Sequence, residues 1–172
     1  MKLRVANEKD LPALLEIYNQ AVLETTASWT SSADSLEGRR AWLRGRREEG
    51  YPVIVAVDGT DAVQGYASFG SFRGRDGYGL TVEHSVYVKP AAQGQGLGRL
   101  LLDALVIEAR QAGFHTMVGA VDASNVASLA LHAKAGFSAS TPLPQVGKKF
   151  GRWLDLVLVT KVLDERTTPP AA

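Results

Sequence analysis

The sequence of 172 residues contains no cysteine, and this absence excludes disulfide bonds, thiolate metal sites and cysteine nucleophiles. It also contains no apolar run long enough to span a bilayer. Its first residues, Met1 to Val5, lack the long apolar stretch of a signal peptide. We therefore expect a cytoplasmic protein with no membrane partner and no metal cofactor.

Neither positive nor negative charge predominates in the sequence. Lysine and arginine total 19 against 18 for aspartate and glutamate, so the formal net charge of +1 gives no general attraction to nucleic acid. The arginines of a predicted helix at residues 35–49 are interleaved with Glu37, Glu48 and Glu49. This mixture favours a solvated face over a nucleic-acid surface. No nucleic-acid partner is expected.

The length is that of one domain, and apolar periodicity predicts its elements. The predicted helices are one that Asn7 and Asp10 cap reciprocally, followed by 35–49, one from about Gly98, and 125–134. The predicted strands lie at 3–6, 52–57, 63–69, 80–88, 116–121, 137–140 and 153–162. The last helix is expected to turn Val126, Leu129, Ala130 and Ala133 inward. We expect residues 1–163 to form the domain and residues 164–172 to form a disordered tail.

A glycine-rich turn follows the strand that ends before Pro90. It comprises Gln93, Gly94, Gln95, Gly96, Leu97 and Gly98, and we call residues 93–98 the glycine loop. Bare backbone next to a helix N-terminus directs several amide N–H groups at one anion, which predicts a phosphate site. A dinucleotide fingerprint would need glycine where Arg99 stands, and a P-loop would need Gly-Lys-Ser or Gly-Lys-Thr. The alternative is a turn that only reverses the chain.

The glycine loop resembles the pyrophosphate loop, Gln/Arg-x-x-Gly-x-Gly/Ala, of the GNAT N-acetyltransferases. Four further segments resemble the phosphinothricin and methionine-sulfoximine acetyltransferases of that family, namely residues 81–88, 122–128, 131–137 and 149–155. This resemblance implies an α/β (α+β) fold with a mixed, mostly antiparallel sheet of about seven strands flanked by four helices. It also implies acetyl-CoA as the co-substrate and a small amino-acid-like amine as the acceptor.

The resemblance further assigns the residues that would hold acetyl-CoA. The backbone of Val86, Tyr87 and Val88 would pair with the pantetheine arm, and the amide of Val88 would hydrogen-bond the thioester carbonyl. The remaining cofactor-binding residues are the glycine loop from Gln93 to Gly98, followed by Arg99, Asn125, Ser128 and Lys134. For Asn125 and Ser128 the alternatives are a helix cap and a small packing residue.

Acyl transfer to an amine requires a neutral amine, so a general base must take its proton. The resemblance makes Glu83 that base. A regular strand would place Glu83 on a polar face and His84 on the apolar face, although the family tends to have a bulge here that would turn His84 toward the substrate. His132 stands where many relatives carry a tyrosine that protonates the leaving thiolate. Its alternative is a packed helix histidine.

The acceptor side calls for a cationic group, because a free amino acid carries a carboxylate. Arg73 and Arg75, with Gly74 between them, match positions that contact substrate in the family, and Ser85 joins Glu83 and His84 there. Other residues that could line the same opening are Lys148, Lys149, Phe150 and Trp29. A homodimer is expected. The alternatives to a small-molecule enzyme are an acetyltransferase for protein N-termini or another amine, and a non-catalytic acyl-CoA sensor.

Overall fold

The computed structural model describes residues 1–170, which form a single sheet with helices on both faces. Its strands are β1 (Lys2–Val5), β2 (Val53–Val57), β3 (Val63–Ser71), β4 (Thr81–Val88), β5 (Thr116–Asp122), β6 (Ser138–Ala139), β7 (Leu143–Lys149) and β8 (Arg152–Val162). Its α-helices are α1 (Leu11–Glu24), α2 (Leu36–Glu48), α3 (Leu97–Gln111) and α4 (Val126–Lys134).

The strands run in the order β1-β2-β3-β4-β5-β8-β6, and β7 pairs with the free part of β8. Only the β4–β5 pairing is parallel within residues 1–170. The predicted mixed, mostly antiparallel sheet is confirmed, but the number of strands is eight instead of about seven. The strand that was missed is β7, because its Pro144, Gly147 and exposed polar residues give no alternating pattern.

Two hydrophobic clusters cover the two faces of the sheet. On one face α1 and α2 pack with Leu11, Leu14 and Leu43 against β2 and β3. On the other face α3 packs with Leu101 and Leu105 against β3, β4 and β5. Burial of these apolar side chains stabilises the layered arrangement at roughly 25 cal/mol for each Å² removed from water.

The 3-10 turn that leads into α1 has the reciprocal cap that the sequence predicts. The side-chain oxygen of Asn7 accepts a hydrogen bond from the Lys9 amide, and the Asp10 carboxylate accepts one from the Asn7 amide at 2.8 Å. A short 3-10 turn at Glu8–Asp10 precedes the helix. Arg4 on β1 donates to both oxygens of Asp10 at 2.8 and 2.9 Å. The cap therefore also ties α1 to the edge of the sheet.

The predicted solvated face of α2 is wrong for Arg39. This side chain is 4% exposed, its guanidinium lies 3.8 Å from the centre of the Tyr18 ring, and it donates to the Asp34 carboxylate. A cation held over an aromatic face and paired with a carboxylate can be buried at acceptable cost. Arg39 therefore joins α1 to α2.

The predicted inward face of α4 is also wrong. Val126 is 73% exposed, and Ala130 and Ala133 face solvent, whereas His132 is 5% exposed. Leu129 is partly buried, as expected. Nε2 of His132 lies 2.8 Å from Nε2 of His84 on the sheet, and its Nδ1 lies 2.7 Å from the carbonyl oxygen of Ser128 in the same helix. With these polar partners the helix buries a histidine where apolar periodicity alone would select alanine.

The segment that follows β8 returns to the sheet. The amide of Leu163 donates to the carbonyl of His115, and Asp164 accepts hydrogen bonds from His115 and Arg166. The disordered tail at residues 164–172 stays a prediction, and residues 171 and 172 lie outside the described part. Among residues 1–170, no helix has the length and apolar character needed to cross a membrane. No group of three or more His, Asp or Glu side chains in that range could hold a metal ion.

Candidate active site

Strand β4 has one edge that is paired along its length and one edge that opens midway. It pairs with β3 from Ser71↔Val82 to Gly65↔Val88, but with β5 only from Thr81↔Thr116 to Glu83↔Val118. The amide of Lys89 donates to β3 at Gln64. Because backbone groups alternate in direction along a strand, Val86 and Val88 point their N–H and C=O groups away from β3. These groups therefore face the gap between β4 and β5.

The side chain of His84 lies where the two strands separate. Its Nδ1 atom is 2.8 Å from the carbonyl oxygen of Val118, the last residue of the β4–β5 pairing. A Cβ atom on Gly119 would lie 2.5 Å from Cε1 of this ring, so only glycine leaves room for it. The imidazole therefore fills the space between β4 and β5 at the point where their pairing ends.

The glycine loop forms the turn from β4 into α3. Gly94 and Gly96 have φ values of +74° and +79°, in the left-handed region that glycine adopts without strain. Cβ atoms at these two positions would meet no other atom within 4 Å, so the backbone is open on that side. Gly96 is also the N-cap of α3, whose first amides have no partner inside the helix. The loop therefore has the form of an anion site.

A groove of about 620 Å³ joins the open strand edge to the glycine loop. The predicted cofactor residues that line it are Val86, Tyr87, Val88, Gln93, Gly94, Gly96, Leu97, Gly98, Arg99, Asn125, Ser128 and Lys134. Gln95 does not line the groove, because its side chain turns back and donates to the carbonyl of Ala91. The structure thus brings together nearly the whole set that the sequence predicts for the cofactor.

The opposite wall of the groove was missed by sequence reasoning. It comes from the second half of α1 and the following loop, with Ile17, Gln20, Ala21, Glu24, Thr25 and Ala27. These residues look like an ordinary amphipathic helix and its exit, so no local signal marks them. Their role depends on where α1 packs relative to β4.

Contacts between α3 and α4 shape the far end of the groove. Arg99 donates through Nε to Asp103 and through Nη1 to the carbonyl of Lys134, both at 2.7 Å. The side chain of Asn125 accepts a hydrogen bond from the amide of Ser128 at 3.0 Å, so it caps α4. Capping and lining the groove are compatible roles, because both side chains border the same space.

Glu83 lies on the α1–α2 face of β4, as strand alternation predicts. It is half-buried, and burial raises the pKa of its carboxyl group, while the positive charge of Arg73 opposes that shift. The residue opposite it on β3 is Gly70, and the Arg46 guanidinium occupies the space where a Gly70 side chain would stand. Sequence reasoning missed Arg46, since nothing local distinguishes it from the other arginines of α2.

His84 and His132 contact each other on the opposite face of the sheet. Their Nε2 atoms are 2.8 Å apart, and Nδ1 of His132 is 2.7 Å from the carbonyl oxygen of Ser128. Burial lowers the pKa of each imidazole, and the proximity of His132 adds to the shift of His84. The two rings are therefore not charged together. The expected bulge that would turn His84 toward the substrate does not form in the β3–β4 pairing, whose register is continuous.

The remaining predicted residues lie on the loop between β3 and β4 and on β4 itself. Arg73, Gly74 and Arg75 are exposed, and the Arg73 guanidinium lies 5.1 Å from the centre of the Phe72 ring. Ser85 is exposed on the Glu83 face of β4. The structure therefore brings Arg73 under the electrostatic influence of Glu83, while Gly74 and Arg75 lie farther along the same loop.

The β7–β8 hairpin holds the loop that follows α1. Lys149 is buried, and its ammonium donates to the carbonyl oxygens of Thr25 and Ser28. Trp29 packs directly on Gly147, where any Cβ atom would collide with the indole ring. Lys148 and Phe150 are exposed. Lys149 and Trp29 thus anchor one wall of the groove and do not project into it.

Comparison with known proteins identifies the family of this architecture. Residues 14–137 match the model of the acetyltransferase (GNAT) family. The chain is 49% identical over 171 residues to an L-methionine sulfoximine/L-methionine sulfone acetyltransferase of Salmonella typhimurium, covering 99% of each chain. It is 39% identical over 167 residues to a phosphinothricin N-acetyltransferase of Alcaligenes faecalis, covering 96% of this chain and 84% of that protein.

Among solved structures, one from Salmonella typhimurium with its cofactor acetyl-CoA superposes with a TM-score of 0.96 at 49% identity, covering 100% of this chain and 99% of the other. The predicted fold class, the N-acetyltransferase activity and acetyl-CoA as co-substrate are confirmed. The chain belongs to the acetyltransferase (GNAT) family.

Proposed function

We propose that the chain transfers the acetyl group of acetyl-CoA directly to the α-amino group of a small amino-acid-like acceptor, with Glu83 as the general base. Relatives named for methionine sulfoximine, methionine sulfone and phosphinothricin support this class of acceptor. The observation that carries the proposal is the half-buried Glu83, whose pKa is raised, at the last paired position before the β4 edge opens.

The residues of the groove fit acetyl-CoA. The backbone of Val86 and the amide of Val88 would hold the pantetheine arm as an added strand, while the Val88 carbonyl accepts a hydrogen bond from the Gln93 side chain at 3.1 Å. The amides from Gly94 to Arg99 would hold the pyrophosphate, and Asn125 with Ser128 would border the arm farther along. The amide of Val88 would donate to the thioester oxygen as negative charge develops there. When bound, acetyl-CoA supplies an activated acetyl group.

Glu83 would remove the proton that prevents the acceptor from attacking. An ammonium group has no lone pair, so the amine must lose a proton before or during the transfer. Burial makes the Glu83 carboxylate a stronger base than an exposed glutamate, since the raised pKa brings it closer to neutral pH. Ser85, two residues along the same face, would border the acceptor beside Glu83.

Arg73 would bind the carboxylate of the acceptor. Its charge already acts on Glu83, and a guanidinium can pair with a carboxylate through two parallel hydrogen bonds. Arg75 and Gly74 share its exposed loop and would contribute to the same clamp. An acceptor held in this way presents its amino group toward Glu83.

The test is Glu83→Gln, which keeps the size of the side chain and removes the base. We expect kcat to fall at least about tenfold, in line with general acid–base contributions, with little change in the affinity for acetyl-CoA measured by calorimetry. The acid limb of the kcat/KM profile should disappear. The matched control is Glu49→Gln, an exposed residue just after α2, which should retain the activity of the unchanged protein.

An unchanged kcat in Glu83→Gln would remove Glu83 from the mechanism. A panel of free amino acids, peptides and other amines, with released thiol as the readout, separates the alternatives. Acetylation of peptides in preference to amino acids would indicate an N-terminal acetyltransferase. Binding of acetyl-CoA with no turnover of any amine would indicate a sensor.

The homodimer stays a prediction. Four apolar side chains are exposed along β7, β8 and the turn between them, namely Leu143, Val146, Phe150 and Trp153. An apolar surface of this kind is typical of a protein interface. We propose this hairpin as the place where two copies would meet.

A further inference from the structure

We propose that Arg46 binds an oxygen atom on the side chain of the acceptor, and that it thereby selects amino acids whose side chains carry a polar or anionic oxygen. This inference rests on the proposed function, because it concerns the same acceptor beside Glu83. It assigns a partner to the side chain of the acceptor, which the clamp formed by Arg73 on the carboxylate leaves without one.

The side chain of Arg46 extends from α2 to the sheet beside Glu83. Gly70 on β3 is directly opposite Glu83 on β4, and Cβ positions of opposite residues lie about 4.5–5.5 Å apart on the same face. A Cβ atom on Gly70 would lie 2.6 Å from Cζ and 2.9 Å from Nη2 of Arg46. The guanidinium therefore occupies the place of a Gly70 side chain, as the cross-strand neighbour of Glu83.

The Arg46 guanidinium has aromatic neighbours but no anionic partner. Its Cζ atom lies 5.8 Å from the centre of the Trp42 ring and 5.7 Å from the centre of the Tyr51 ring. Within residues 1–170, no carboxylate forms an ion pair with Arg46, and its buried Nε atom has no hydrogen-bond partner. A buried donor without a partner is costly, and more so on a charged group. A bound molecule that supplies an oxygen would remove this cost.

Arg39 shows how a comparable arginine is satisfied on the same helix. It precedes Arg46 by seven residues, so both lie on one face of α2. Its guanidinium also lies over the Trp42 ring, at 4.7 Å, but its Nε and Nη2 atoms donate to the Asp34 carboxylate at 3.1 and 2.7 Å. Arg46 has the aromatic contact without the carboxylate. This difference indicates that the partner of Arg46 comes from outside the chain.

The position of Arg46 suits the side chain of the acceptor better than its carboxylate. The thioester would lie on the β5 side of β4, where pairing ends at Glu83↔Val118. An amine that attacks from beside Glu83 leaves the rest of the acceptor to extend the other way, over β3. The carboxylate is attached to the carbon that carries the amine, so it stays close to Arg73, whose charge acts on Glu83. The side chain is then the part that reaches Arg46.

The chemistry of a guanidinium defines the group that it would select. Its N–H donors form a planar fork that pairs with two oxygens on one atom, as in a carboxylate, a phosphinate or a sulfone. An aliphatic side chain offers no such oxygen and would leave the donors of Arg46 unpaired. A site with unpaired polar groups rejects the analogue that lacks the matching group. Arg46 would therefore favour the oxygen-bearing acceptor of two that are otherwise alike.

The test is Arg46→Met, which keeps a long side chain against the aromatic rings and removes the charge and the donors. The two acceptors are L-methionine sulfone and L-methionine, which differ only in the oxygens on sulfur, with released thiol as the readout. We expect kcat/KM for the sulfone to fall about ten- to hundredfold, the loss typical of a charge-assisted hydrogen bond. The value for methionine should stay the same. If methionine reacts too slowly, its inhibition constant against the sulfone replaces kcat/KM.

The matched control is Arg44→Met, an exposed arginine of the same helix, which should change neither acceptor. Arg46→Lys, which keeps the charge but not the fork, should recover part of the activity on the sulfone. Calorimetry on protein saturated with coenzyme A should show weaker binding of the sulfone to Arg46→Met, and this measurement needs no turnover.

Equal losses for the two acceptors would give Arg46 a packing role alone and would overturn the proposal. Full activity of Arg46→Met on the sulfone would overturn it as well. Both outcomes differ from a failure of the proposed function, in which the unchanged protein would acetylate neither amino acid.

Discussion

Addition of one methyl group at Gly119 tests whether the space between β4 and β5, which the His84 ring occupies, is as tightly filled as the structure shows. A Cβ atom there would lie 2.5 Å from Cε1 and 3.0 Å from Nε2 of His84, and 2.9 Å from Cγ2 of Val159. Real Cβ atoms essentially never approach other atoms to within 3.0 Å. Both neighbours are buried. Gly119→Ala must therefore displace the imidazole or spread the strands.

The expected cost is about 2 kcal/mol of unfolding free energy, within the range for overpacked cores. This is net of the gain of about 0.4–1 kcal/mol that alanine provides by restricting the unfolded chain. For a chain of this size it corresponds to a decrease in Tm of roughly 4–8 °C. Urea unfolding followed by circular dichroism measures it.

The matched control is Gly45→Ala in α2, where a Cβ atom meets nothing within 4 Å. The same substitution should there increase stability by about 0.5–1 kcal/mol, because alanine is the better helix former. In a His84→Ala background two of the three short contacts at Gly119 are gone, so Gly119→Ala should cost less. A Gly119→Ala variant as stable as the unchanged protein would refute tight packing around the His84 ring at this position.

Two further predictions concern the edges of the domain. Burial opposes ionisation of Asp10, but hydrogen bonds from Arg4 and the Asn7 amide hold the pKa of its carboxyl group below the ordinary value. The stabilisation from ionised Asp10 is therefore fully present above the ordinary pKa and is lost as the pH falls through the lowered pKa of the folded protein. Asp10→Asn should therefore lower the free energy of unfolding by about 1–3 kcal/mol at neutral pH and by little in acid. Asp61→Asn, at a carboxylate that is 70% exposed, should lower it little at any pH. Urea unfolding measured across pH checks both variants. Lys149→Met removes the donors to Thr25 and Ser28, so we expect faster proteolysis of that loop and a higher KM for acetyl-CoA, whose groove the loop lines. Exposed Lys148→Met is the control that should leave both unchanged, and equal KM values in the two variants would contradict the anchoring role.

Much of the candidate cofactor groove could be predicted because its parts are local in the chain. Pro90 ends β4, glycines at 94 and 96 adopt left-handed backbone, and Leu97 begins the helix that follows. Each of these steps follows from the φ range of the residue or from its missing N–H group. Alternation along β4 likewise placed Glu83 and His84 on opposite faces, and continuous pairing with β3 preserves that placement.

Other parts of the site depend on contacts between residues far apart in the chain. The pairing of His84 with His132 requires β5 to leave β4 after Val118, and the space at Gly119 exists only in that arrangement. No property of residues 126–134 alone shows that α4 buries its histidine and exposes Val126.

The difference between the features that the sequence predicts and those that it does not has a physical basis. Backbone geometry, capping and strand alternation act over a few residues, so the sequence by itself determined the glycine loop, the cap at Asn7 and the two faces of β4. Side chains that meet across elements depend on where whole helices and strands pack. Tertiary structure alone therefore decided the second wall of the groove, the Lys149 anchor and the contact between the two histidines.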